Sequence, residues 1–130
     1  RLDLRFGVMA LLKDSGINIR ALSLADTSDF GILRMVVNDT DKAEKVLKNA
    51  SYAVTVTEIV AITIPDSPGQ LSRVLDILGA ENVNLEYLYA FTGASDRSVS
   101  FVIRVDDIKL ASEALTKGGI IQLTEQDLSE

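Results

Sequence analysis

The chain repeats itself, and this limits what it can fold into more than any other feature. Gly16-Ile17-Asn18-Ile19-Arg20-Ala21-Leu22 matches Asn82-Val83-Asn84-Leu85-Glu86-Tyr87-Leu88, an offset of 66. Further on, Val36-Val37-Asn38-Asp39-Thr40-Asp41-Lys42-Ala43-Glu44-Lys45-Val46-Leu47 matches Arg104-Val105-Asp106-Asp107-Ile108-Lys109-Leu110-Ala111-Ser112-Glu113-Ala114-Leu115, an offset of 68. Two extra residues in the second copy's intervening hairpin account for the difference. One supersecondary unit, used twice, is the simplest source of such a pattern.

The second copy shows what the unit is. Val60, Ile62 and Ile64 alternate with Ala61 and Thr63, the period of a strand with one buried face. Ser67-Pro68-Gly69-Gln70 then reads as a helix start: an N-cap serine, a first-turn proline and a glutamine three residues after the cap. Leu71, Val74, Leu75 and Leu78 follow at helical spacing. Val83 to Phe91 is a second strand, Gly93 to Arg97 a turn, and Val99 to Val105 a third strand. Asp106 or Asp107 can cap a second helix carrying Ile108, Ala111, Ala114 and Leu115, which ends at Lys117-Gly118-Gly119. Ile120 to Leu123 closes the unit as a fourth strand.

The first copy is expected to repeat this order. A strand falls near Leu2 to Phe6, where Arg1-Leu2-Asp3-Leu4-Arg5-Phe6 alternates, then a helix to Ser15 and a strand from Ile17 to Ala25. A turn at Thr27 to Asp29, a strand from Gly31 to Val37, a helix from Asp39 to Asn49 and a strand from Tyr52 to Thr57 complete it. The expected domains are therefore 1–58 and 59–130, joined at Thr57-Glu58-Ile59 without a Pro/Gly linker. Two βαββαβ units with right-handed crossovers give an α+β fold, each unit a ferredoxin-like antiparallel sheet with both helices on one face.

Composition removes several functions. Nineteen acidic against thirteen basic residues leave a net charge of −6, which repels the phosphate backbone a nucleic-acid binder must neutralise. No apolar run approaches a membrane span. Cysteine and histidine are both absent, so the usual soft metal ligands and the commonest nucleophile and base near neutral pH are missing. No catalytic residue, metal ligand or cofactor is assigned. With no n-region or h-region at the start, the cytoplasm is the expected compartment.

Three stretches resemble the ACT family, specifically its small stand-alone proteins made of two ACT units. They are Asp66-Ser67-Pro68-Gly69-Gln70-Leu71, Gly16-Ile17-Asn18-Ile19, and Ala21-Leu22-Ser23-Leu24-Ala25-Asp26-Thr27-Ser28-Asp29-Phe30-Gly31. The resemblance implies regulation by binding, with two units paired through edge strands and an amino acid at their seam. Carried over position by position, it assigns Asp66, Ser67, Pro68, Gly69, Gln70 and Leu71 as the loop of the second unit, faced by Asn18 and Ile19. The reciprocal seam would use Asn84 and Leu85. The first unit's own loop departs from the pattern: Gly7-Val8-Met9 follows Phe6 with no Asp/Asn-x-Pro-Gly between, so that loop is missing or shortened and its site residues are unassigned.

These residue types suit a zwitterion. A helix N-terminus offers unpaired amides and a partial positive charge to a carboxylate, and glycine lets a ligand approach the backbone. An asparagine amide accepts from an ammonium and donates to a carboxylate. Each feature also has a plain structural reading. Ser-Pro-Gly-Gln starts helices that bind nothing, Asn18 and Asn84 can simply hold the helix-to-strand corner, and Tyr87, Tyr89 and Phe91 at alternate positions are more often core or interface than ligand cage. Asp26 with Asp29, and Asp106 with Asp107, read as turn and cap residues rather than a metal pair. Glu125, Asp127 and Glu130 read as a solvated tail. The strand through Leu85, Tyr87, Leu88, Tyr89 and Phe91 is apolar on both faces and expected at a sheet edge, which favours pairing with another strand and hence a homo-oligomer, a homodimer first.

The expected function is a non-catalytic regulatory protein that binds an amino-acid effector at the interface of two ACT units and acts on a metabolic enzyme or transporter. The alternative is a ligandless assembly or dimerisation module for such a complex. Neither nucleic acid nor membrane is an expected partner.

Overall fold

The computed structural model describes residues 2–26, 31–92 and 97–129, with side chains for 7–25, 31–91 and 97–128. The chain divides into two compact units, 1–57 with 126–130, and 58–125. The architecture is α+β, two antiparallel sheets with helices alternating between strands.

The second unit contains β3 (Val60–Pro65), α3 (Gln70–Ala80), β4 (Leu85–Thr92), β5 (Ser98–Val105), α4 (Ile108–Lys117) and β6 (Ile121–Leu123). Its strands lie in the order β4-β5-β3-β6, all neighbours antiparallel, the ferredoxin-like arrangement. Val60, Ile62 and Ile64 of β3 and Ile103 and Val105 of β5 form one apolar face. Val74 and Leu78 of α3 and Ala111 and Leu115 of α4 pack onto it. Each fully buried side chain of this kind contributes about 1.5–3 kcal/mol, so the period-two strands and the amphipathic helices select one another.

The first unit contains α1 (Leu2–Asp14), β1 (Ile19–Asp26), β2 (Gly31–Val37) and α2 (Thr40–Asn49), with β1 and β2 paired antiparallel. A last short helix, α5 (Glu125–Ser129), occupies the stretch read as a solvated tail; Glu130 lies outside the described residues. The core of this unit is the second core again. Val8, Leu12, Ile17, Val37, Ala43 and Leu47 are buried together, and at offsets of 66 and then 68 they fall on Val74, Leu78, Val83, Val105, Ala111 and Leu115, also buried together.

Two expected strands of the first unit are corrected. Leu2 to Phe6 is the first turns of α1: the alternation lasts only six residues, Arg1 to Phe6, whereas Leu4, Val8, Leu11 and Leu12 keep helical spacing, and the offset of 66 sets Leu4 on Gln70, where α3 begins. Tyr52 to Thr57 forms no ladder. In the second unit β6 is a strand through its bonds to β3, and among the described residues the first unit has no strand in β3's place. Tyr52 and Val54 nevertheless pack against the core. The expected turn residues 27–29 and 93–96 lie outside the described residues.

Helix ends repeat as closely as the cores. All four long helices finish on a left-handed residue, Gly16, Ser51, Asn82 and Gly119, with φ of 73°, 70°, 57° and 76°. After each, the next amide reaches back five residues along the chain: Ile17 to Leu12, Tyr52 to Leu47, Val83 to Leu78 and Ile120 to Leu115, at 2.9–3.1 Å. This is the Schellman closure, with its apolar contact.

Candidate functional site

Asp66 to Gly69 joins β3 to α3 as an exposed loop. The Asp66 amide donates to the Arg97 carbonyl at 2.8 Å, anchoring the loop beside the start of β5. Ser67 is not the helix cap that its sequence suggests. The amide of Gln70 points back to the Ser67 carbonyl at 3.4 Å, and Gly69 has φ 86° and ψ −9°. That is a type II turn with Pro68 and Gly69 at its centre, in which the second central position demands a positive φ that glycine alone adopts freely. Gly69 thereby becomes the N-cap, with no side-chain hydrogen bond to the helix.

The consequence is an open helix tip. Asp39 caps α2 by accepting from the Lys42 amide at 3.1 Å, and Asp107 caps α4 by accepting from the Leu110 amide at 3.0 Å. At α3 the Arg73 amide bonds to the Gly69 carbonyl, but among the described residues nothing accepts from the amides of Leu71 and Ser72. The Cβ direction of Gly69 meets nothing within 4 Å. Unpaired amides with free approach are what a carboxylate requires.

The asparagine corners are built twice. The Asn18 amide donates to Asn38 Oδ1 at 2.9 Å, and the Asn38 amide donates back to the Asn18 carbonyl at 3.0 Å. In the second unit the Asn84 amide donates to Asp106 Oδ1 at 2.9 Å, and the Asp106 amide returns to the Asn84 carbonyl at 3.1 Å. Of the two candidate caps, Asp107 holds the helix, while Asp106 holds the corner. The backbones of Asn18 and Asn84 make the corner, so their exposed side-chain amides are not spent on it. Directly after each corner the strand register slips, between Ile19 and Ala21 and between Leu85 and Tyr87. These are matched β-bulges of the sort that re-aim side chains.

Around Asn18 the surface is concave. Met9, Lys13, Gly16, Ile17, Asn18 and Ile19 line an open hollow of ≈ 470 Å³ within the first unit. Lys13 was not singled out from the sequence, because its counterpart in the repeat is Gly79 and duplication therefore gives no signal for it. A smaller hollow of ≈ 220 Å³ lies in the second unit, between Gln70 and Arg73 of α3 and the Gly119–Ile121 stretch, where the Arg73 guanidinium donates to the Gly118 carbonyl.

Tyr87 and Tyr89 are half-buried on β4, their rings stacked at 6.2 Å and 20°. Strand β4 is the sheet edge, paired among the described residues only to β5. Asp29 and the side chain of Asp26 lie outside the described residues. Among the described residues no group of three or more acidic side chains could hold a metal ion, and no helix is long and apolar enough to cross a membrane.

The ferredoxin-like unit and the cores and corners built twice define a duplicated α+β protein. The family model described as ACT domain pair matches residues 4–130, and the chain belongs to that family. ACT domains are regulatory, usually non-catalytic modules that generally bind small-molecule effectors. Among solved structures, protein BT0572 from Bacteroides thetaiotaomicron is 39% identical, with a TM-score of 0.91 over 100% of this chain and 87% of that one. A quorum-quenching acylase, GqqA, is 17% identical at a TM-score of 0.42, covering 83% of this chain and 55% of its own. A putative glycine cleavage system transcriptional repressor is 11% identical at 0.39, covering 95% and 88%. At those values neither of the last two bears on fold or function. No curated protein matches the chain in sequence.

Proposed function

We propose that this chain is a non-catalytic regulatory protein whose ACT units bind a free amino acid, and that the bound form alters a metabolic enzyme or transporter. The observation that carries the reading is the uncapped tip of α3. Two of the other helices start under an aspartate, while this one starts at a left-handed glycine with free amides behind it. Asp66, Ser67, Pro68, Gly69, Gln70 and Leu71 form this anion-preferring surface. Asn18 with Ile19, and Asn84 with Leu85, form the surfaces whose side-chain amides can serve either end of a zwitterion. The proposed sites form where one ACT unit meets another, of this chain or of a second copy in a homodimer, and the cytoplasm is the proposed compartment.

Titration calorimetry of the purified chain against the twenty standard amino acids tests this. One or a few are expected to bind, and a micromolar affinity would correspond to about 8 kcal/mol. Gly69→Ala, which puts a methyl group where the ligand would approach, is expected to weaken that binding at least about tenfold. Silence across the whole panel would remove the reading. It would leave the second one, an assembly module acting through strand edges, which the exposed Leu22 and Leu24 on β1 favour.

A further inference from the structure

The two asparagine corners share backbone geometry but not charge. In the first unit the hollow beside Asn18 is lined by Lys13, on the last turn of α1. Among the described residues no carboxylate pairs with that ammonium group. Its counterpart at the offset of 66 is Gly79, so the Asn84 corner has no cation in this place. The rest of the hollow is apolar, Met9, Ile17 and Ile19, with the Asn18 amide beside them. One positive charge, one amide donor and an aliphatic wall fit a small carboxylate carrying an apolar side chain.

We propose that the hollow of the first unit is a carboxylate-selective subsite in which Lys13 pairs with the anion and Asn18 donates to it, and that Lys13 sets the two corners of the duplicated fold apart. The proposal rests on the reading of the corners as ligand surfaces and deepens it, by stating which end of an amino acid the Asn18 corner holds. A ligand's ammonium group is not required there. A 2-oxo acid therefore binds this corner as an amino acid does, while an ester, which has lost its charge, does not. The repeat also supplies the reciprocal change. A Cβ built on Gly79 meets nothing within 4 Å, so a side chain can start there without a clash.

Nitrogen-15 NMR titration of the whole chain with L-leucine, 4-methyl-2-oxopentanoate and L-leucine methyl ester tests this. The two acids are expected to shift the Asn18 and Ile19 amides saturably, and the ester to bind at least about tenfold more weakly, the loss of one charge-assisted contact. Lys13→Met should weaken the acids by about the same factor while the remaining spectrum is retained, and Gly79→Lys combined with Asp106→Asn, which removes the carboxylate already held at that corner, should make Asn84 and Leu85 respond to the acids. Equal binding of ester and acid overturns the proposal. So does a Lys13→Met midpoint within about twofold of the parent chain, or a Gly79→Lys, Asp106→Asn chain whose Asn84 corner stays silent. Silence of Asn18 toward both acids sinks the subsite alone if calorimetry finds another amino acid bound, and sinks it together with the proposed function if calorimetry finds none.

Discussion

Asn84 and Asp106 hold each other through two hydrogen bonds, amide to carboxylate at 2.9 Å and amide to carbonyl at 3.1 Å, and Asn18 and Asn38 repeat the arrangement with an amide oxygen in place of the carboxylate. The clasp therefore needs an acceptor at this position and not a charge. Asp106→Asn is expected to change stability by less than about 0.5 kcal/mol, while Asp106→Ala, which strands the Asn84 amide, should cost about 1 kcal/mol. Urea denaturation of both variants measures the difference, and equal losses would mean that the charge matters after all.

Ser51 ends α2 as Gly119 ends α4, both left-handed, φ 70° and 76°. A side chain in that conformation costs about 1 kcal/mol or somewhat more relative to glycine. Ser51→Gly should thus stabilise the chain by about 1 kcal/mol and Gly119→Ala destabilise it by a similar amount. Nothing lies within 4 Å of the Gly119 Cβ direction, so the second change reports conformation and not collision. Thermal unfolding that leaves both variants at the parent midpoint would contradict the assignment of these caps.

Its neighbour Gly118 differs in kind. A Cβ there would lie 2.5 Å from Ile77 Cδ1 and 3.4 Å from the Ala114 carbonyl oxygen. Gly118→Ala should cost about 1–3 kcal/mol through overpacking, and Ile77→Val in the same chain should return part of the loss. The double variant, compared with each single one, decides whether the contact is the cause.

Leu12 and Leu78 stand at matching positions and are both buried. Leu12→Ala and Leu78→Ala should each cost about 2–5 kcal/mol. Among the described residues the second unit encloses its leucine under a four-stranded sheet, the first under two strands, so the lower value is expected for Leu12→Ala, where neighbours can close on the cavity. Hydrogen exchange at the amides of Ile17 and Val83 reads the two losses separately.

Much of this fold was legible from residue order. Val60, Ile62 and Ile64 announce a one-faced strand, Leu71 to Leu78 a helix, and the repeat ties Leu47 to Leu115 and Asn18 to Asn84 before any coordinates. Of the three readings that failed, Tyr52 to Thr57 found no neighbouring strand to bond among the described residues, and the other two failed because short patterns are ambiguous. Leu2 to Phe6 alternates for a span too brief to separate strand from helix, and the repeat register, which favours helix, was the better guide. Ser67 has the chemistry of a cap, but Pro68-Gly69 is also the centre of a type II turn, and the turn prevailed because Gly69 can take a positive φ. Lys13 was illegible because it breaks the repeat rather than joining it.

Residue order is enough to establish that one unit is used twice, where its buried positions lie and which residues bend the chain, because periodicity, proline, glycine and asparagine act through local sterics. Which polar groups are left over emerges from the folded chain. Asp106 holds a corner instead of a helix, Asp107 caps α4, α3 starts without a cap, and Lys13 borders the Asn18 hollow. The corner joins residues 22 apart in sequence, Asn84 with Asp106, and Asp66 ahead of α3 is tied to the distant Arg97, whereas the Asp107 cap closes within one turn; a hydrogen bond goes to whichever partner the packing of sheet and helices brings within reach.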